Sequence, residues 1–263
     1  MGILTEFLLG NAIRPSKQLP LVHTTRAIHL KKIMTAQLIK AAYCEIFKED
    51  LNYFFVGRPA YKHKFTDTIA AYWELPVCFI MNFHIIPSAK RIFPFDTGAF
   101  HAKRYPSFFQ ITDQNEFEVP YFPDAPERIM GAFFGSAEDY FYLNPKSERD
   151  FEQEFHLKVF DEEIRALHML ASLKTGDGFD DRRLCIEVQS SSNISLDDGN
   201  LQAVICPSIY LDDKKLIETI EGTWNAQPIP YPIHSLNYGN YIGLIYERVE
   251  QFYIKRGLLR DRR

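Results

Sequence analysis

The chain has 263 residues, 46% apolar and 24% charged, with a net charge of −4. These values exclude disorder, a disulfide miniprotein and a fibrous repeat. They also leave no global basic field for a nucleic acid, though a local basic patch stays open. The length suits one large domain or two small ones with a substantial core. The composition is unusual in its 14% of aromatics, with 22 Phe, 14 Tyr and 2 Trp, which either fill a core or line a site for a flat ligand.

The N-terminal Met-Gly-Ile-Leu-Thr-Glu run lacks the basic stretch and cleavage site of a signal peptide. Glu6 stands where myristoylation after Gly2 wants Ser or Thr. Leu19 to Thr24 reads as a strand and Ala27 to Leu38 as a helix. Leu51 to Val56 is an aromatic strand ended by Gly57 and Pro59. Leu75 to Phe83 is an apolar strand. Its extension to Ile86 is too short for a membrane span and carries Asn82 and His84. The chain is therefore expected to be cytoplasmic.

Ile92 to Pro126 is broken by Pro94, Pro106, Pro120, Pro123 and Pro126 and reads as loops with short strands. Glu127 to Tyr142 has helical spacing interrupted by Gly131 and Gly135. Asp161 to Leu173 is a stronger helix, with Ile164, Leu167, His168 and Ala171 on one face and acids at its start. Lys174 to Asp181 is a polar loop. Arg183 to Gln189 alternates as a strand, and Leu201 to Cys206 is another. Asp212 to Ile220 is a short helix, and the Pro-broken Gln227 to Ile233 is an edge strand. Tyr241 to Arg256 is a closing helix with Gly257 as its cap. The fold class expected is α+β, a single domain over 1–263 with a mostly antiparallel core and an irregular middle.

Common chemistries fail on their residue patterns. The eight histidines are dispersed, so no metal site is expected. Cys44, Cys78, Cys185 and Cys206 form no C-x-x-C and read as buried thiols in a reducing compartment. Gly131 to Ser136 lacks the lysine of a phosphate loop, and G-x-S-x-G and G-x-G-x-x-G are absent.

Three segments remain that read as parts of one site. They are Leu21-Val22-His23-Thr24-Thr25, Tyr53-Phe54-Phe55-Val56-Gly57-Arg58-Pro59-Ala60-Tyr61, and Arg182-Arg183-Leu184-Cys185-Ile186-Glu187-Val188-Gln189. In this order the chain resembles the ADP-ribosyltransferase fold in its His–Tyr–Glu branch. There one strand presents His, a second an aromatic, and a late strand after a loop presents Glu. The likeness is nearest to the DarT-like nucleic-acid-modifying transferases of toxin–antitoxin and phage-defence systems. It covers the first 65 residues and roughly residues 174 to 220.

The resemblance implies an NAD-dependent transferase with NAD as substrate and no metal. Cleaving the nicotinamide–ribose bond builds positive charge on the ribose, as in glycoside hydrolysis. Glu187 would stabilise that charge and help deprotonate the acceptor. His23 would hold the ribose, Thr24 or Thr25 would bond the ligand, Tyr53 would stack on nicotinamide, and Arg58 would pair with pyrophosphate at a pocket rim. Pattern does not separate Tyr53 from Phe55, and Tyr61 is a third candidate. Gln189, Arg182 and Arg183 would face the acceptor, which is nucleic acid in preference to protein. Basic residues beside Tyr61 and Tyr105 would hold it by charge and stacking, and an antitoxin protein is a further implied partner.

Blander readings stand beside these. His23 can cap a strand end, Tyr53 can be core, and Arg58 can be a turn residue. Glu187 is the strongest candidate, because a mid-strand carboxylate is costly unless it lines a cleft or finds a partner. In DarT-like proteins the catalytic Glu falls about where Val204 stands, within about two to four residues. Either it has moved to Glu187, or the chain is an inactive nucleotide- or partner-binding relative. A 2′-phosphotransferase would want more basic residues at these segments.

Overall fold

The computed structural model describes residues 2–60, 71–85, 89–122, 124–173, 184–197, 199–234 and 239–261. Among them the chain opens with helix α1 (Ile3–Gly10), strand β1 (Leu21–Arg26) and helix α2 (Leu30–Ala36). Strands β2 (Leu38–Ile39), β3 (Ala42–Cys44), β4 (Glu49–Val56), β5 (Pro76–Met81) and β6 (Arg91–Phe93) follow. The middle holds α3 (Thr97–His101), α4 (Ser107–Gln110), α5 (Ala125–Phe133), α6 (Ala137–Phe141), α7 (Glu148–Phe155) and α8 (Glu162–Ser172). The last third contains β7 (Glu187–Ser190), β8 (Ile194–Ser195), β9 (Leu201–Pro207), α9 (Lys214–Glu218), β10 (Gln227–Tyr231) and α10 (Gly239–Lys255).

These elements form two compact units, 1–19 with 88–189, and 20–87 with 190–263. The second unit is built on a mostly antiparallel sheet in the order β10-β9-β5-β1-β4, with β3 paired to β4. Strands β5 and β9 are continuous apolar runs buried almost throughout, as strands covered on both faces must be. The edge position expected for the Pro-broken strand holds for β10, since Pro228 and Pro230 lack donors and only one side of the strand is paired. It runs parallel to β9, the exception to the antiparallel pattern. Helix α10 packs on β5 and β10 through Tyr241, Ile245, Val249, Phe252 and Tyr253, a stripe at helical spacing. Gly257 follows with φ 66°, the left-handed turn expected after its end.

The first unit is helical around the β6–β7 pair, which is antiparallel with Phe93 opposite Glu187 and Arg91 opposite Gln189. Two aromatic clusters make its core. In one, Phe95 meets Phe100, Tyr105, Phe109 and Phe117 with ring centroids 5.1 to 5.9 Å apart. In the other, Phe7, Phe133, Phe151 and Phe155 interlock, with His168 stacked on Phe151 at 4.3 Å. His168 Nε2 donates to the Lys146 carbonyl, 2.9 Å away, so it serves the core.

Several expectations are corrected here. The Pro-rich middle forms short helices, because Asp96 caps α3 by accepting from Ala99 N and Pro106 opens α4. The helix expected over 127–142 splits at Gly135, where φ is 81°. Glycine at 131 is required for packing, since a Cβ there would lie 2.1 Å from the Arg14 carbonyl oxygen. The loop expected over 174–181 lies outside the described residues.

Candidate functional site

His23 lies on β1 in the second unit, opposite Phe79 of β5. Its ring sits 5.5 Å from Phe54 and 6.2 Å from Phe79. Nδ1 is 2.9 Å from the Tyr53 carbonyl. A carbonyl only accepts, so Nδ1 carries the proton and Nε2 is the lone-pair acceptor. Burial holds the pKa below the ordinary imidazole value, against the pull of the Tyr53 carbonyl, so the ring is neutral near pH 7. The chemistry offered is one oriented, uncharged acceptor between two aromatic rings, suited to a hydroxyl donor.

The strand register corrects the role given to Tyr53. Val22 pairs with Phe55, so strand alternation puts Tyr53 on the face opposite His23. Its hydroxyl donates to Cys44 Sγ at 2.8 Å. Phe55 shares the Tyr53 face and is buried, and Phe54 is the β4 aromatic beside His23. Thr24 also turns away from His23, donating to the Ala60 carbonyl at 2.9 Å, while Thr25 shares the His23 face. Arg58 is corrected from a rim residue to a buried one. It is 2% exposed, with its guanidinium 5.9 Å from the centre of the Tyr246 ring on α10.

Glu187 lies in the first unit and is 1% exposed. Its Oε2 accepts from Thr97 N at 3.0 Å. Its Oε1 accepts from Thr97 Oγ1 at 2.7 Å and from Gln189 Nε2 at 2.6 Å. The partner that a mid-strand carboxylate needs is thus the N-terminus of α3, and the shared face of Glu187 and Gln189 follows the strand period. The expected open cleft is corrected, because the carboxyl is sealed. Gln189, fully buried, holds Glu187 by donating from Nε2. Burial first, and the nearby Asp96 carboxyl second, push the Glu187 pKa up to about 8, against the hydrogen bonds from Gln189 and Thr97. The arrangement holds a proton near neutrality.

Asp96 and Thr97 are the site residues that sequence reading passed over. The available signal was Asp at a helix start, obscured by a helix too short to show a period. Tyr105 is corrected as a base-stacking residue, since it is buried and its hydroxyl donates to the Asp96 carbonyl at 3.1 Å. Tyr61, Arg182 and Arg183 lie outside the described residues. The structure therefore groups Glu187 with Gln189 in one unit, and His23 with the Tyr53 backbone and Phe54 in the other. No family model, curated protein or solved structure matches the chain.

Proposed function

We propose that the chain transfers ADP-ribose from NAD to a macromolecular acceptor, a nucleic acid in preference to a protein, as a toxin or phage-defence effector does. The observation that supports this best is the neutral, oriented imidazole of His23. An uncharged Nε2 acceptor fixed by a backbone bond suits a ribose hydroxyl, and its neutrality avoids repelling the cationic nicotinamide. Phe54, fully buried beside it, packs against the imidazole and helps hold its orientation. The assignment of the oxocarbenium-like charge to Glu187 rests on the resemblance alone, since its carboxyl lies in the first unit, is buried and keeps its proton near neutrality.

Nicotinamide release from NAD, measured without acceptor, tests the reading. His23→Ala is expected to lower it about tenfold or more, the worth of a lost oriented hydrogen bond. Glu187→Ala is expected to abolish it while the fold persists. Full activity in either variant rejects the assignment. A second reading is a catalytically inactive nucleotide- or partner-binding relative. It is favoured by the 1% exposure of Glu187 and the occupation of both its oxygens. That reading predicts a rise in melting temperature with NAD and no nicotinamide release.

A further inference from the structure

At one end of the second unit's sheet, β1 finishes at Arg26, β5 begins at Pro76 and β9 finishes at Pro207, with Arg26 paired to Pro76. Three turns extend from this end, over 27–29, 72–74 and 208–212. The first two are tied by Ala27 N donating to the Leu75 carbonyl at 2.8 Å. The last two meet where the Tyr72 and Tyr210 rings lie 6.0 Å apart.

These turns leave large side chains in solvent. Tyr72 is 45% exposed and Trp73 46%, and Ile28 and Ile209 are also exposed. The Tyr72 and Trp73 rings meet edge to face at 5.0 Å and 77°, an arrangement that takes up at most one ring face of the pair. An exposed aromatic pair of this kind is informative, because burying it is favourable and nothing in its own turn requires it outside.

The neighbouring charge is positive. Arg26, Lys31 and Lys32 run along the first turn and into α2, both lysines exposed, with the exposed His29 between Arg26 and Lys31. Lys32 and Arg26 are close enough to His29 to depress its pKa, after slight burial. Among the described residues of the second and third turns, the acids Glu74 and Asp213 are held by backbone donors, and Asp212 lies beside Lys214 and Lys215. Glu74 accepts from Ala71 N, and Asp213 accepts from Lys215 N and Leu216 N.

We propose that the surface formed by Tyr72, Trp73 and Tyr210 beside Arg26, Lys31 and Lys32 binds single-stranded nucleic acid. Bases stack on the open ring faces and the cations meet phosphates. Stacking tolerates any base, and a local cationic edge suffices even on a chain of net charge −4. A lipid surface fits less well, since the aliphatic part of the patch is small and lies on short turns rather than along an amphipathic helix. This names where the acceptor of the proposed transfer is held, and only that link rests on the proposed function.

The two tryptophans make the test direct. Trp73 is exposed, whereas Trp224 is fully buried and donates from Nε1 to Gln37 Oε1. Titrating the full chain with a short oligothymidylate at low salt, without NAD, is expected to quench tryptophan fluorescence, with affinity falling as salt rises. Anisotropy of a labelled oligonucleotide is expected to show about tenfold weaker binding for Trp73→Ala and a clear loss for Lys32→Glu. Trp73→Phe is expected to retain binding while losing the fluorescence response. No binding, or unchanged affinity in Trp73→Ala, overturns the inference. So does association with phosphatidylserine vesicles but not with the oligonucleotide. The readout needs no NAD, so its failure counts against this surface and failed nicotinamide release counts against the reaction.

Discussion

Glu187 keeps a proton that an ordinary glutamate would release, and this makes the protein's stability depend on pH. Its carboxyl starts from an ordinary value of 4.5 and is raised to about 8 by burial and by Asp96. Below about pH 4.5 the folded and unfolded states both hold the proton. Between there and about 8 the unfolded chain releases it while the native state keeps it, so stability falls as pH rises. The slope from this group approaches ~1.4 kcal/mol per pH unit. Melting temperatures measured from pH 5 to pH 8 are expected to decline, and Glu187→Gln is expected to flatten the decline. An identical slope in that variant would contradict the assignment. Thr97→Val removes the Oγ1 donor at 2.7 Å and is expected to destabilise the fold by about 1–3 kcal/mol, read from urea unfolding. The common face of Glu187 and Gln189 was legible because strand alternation needs only their spacing. The face of Tyr53 relative to His23 was not, since it depends on the pairing of β1 with β4, which no local pattern states. Arg58 misled for a related reason, because its cover comes from Tyr246, far along the chain.

At the scale of elements, glycine positions separate packing from propensity. Gly131 on α5 faces the Arg14 carbonyl oxygen at a distance no Cβ tolerates. Gly131→Ala is expected to cost about 1–3 kcal/mol or more, since backbone rather than a flexible side chain must yield. Gly243 on α10 has open space where a Cβ would go. Gly243→Ala is expected to stabilise by up to ~1 kcal/mol through helix propensity. Thermal unfolding of the two variants should move in opposite directions. Helices α8 and α10 were readable because their apolar stripes persist over three turns or more, and β5 and β9 because their runs are apolar throughout. The middle was not readable. Helices α3, α4 and α6 span one turn or little more, too short for a period, and their aromatics satisfy a helix and a strand equally. Ser136 and Ser147 nevertheless cap α6 and α7 by accepting from Asp139 N and Asp150 N, a start signal the sequence does carry.

Across the whole molecule, the aromatic excess divides into three uses. Nine rings fill the two clusters of the first unit, Phe95 with Phe100, Tyr105, Phe109 and Phe117, and Phe7 with Phe133, Phe151 and Phe155. Phe54 and Phe79 flank His23. Tyr72 and Trp73 stand in solvent beside a cationic turn. Among the described residues no helix is long and apolar enough to cross a membrane. The proposed transfer of ADP-ribose from NAD onto nucleic acid is open to a direct measurement. The full chain is incubated with NAD labelled in its adenylate portion and with separate pools of DNA, RNA and protein. Nicotinamide release is expected, with label retained on a nucleic-acid pool and lost in Glu187→Ala. Label on protein alone, or no nicotinamide release from a folded chain, would contradict it.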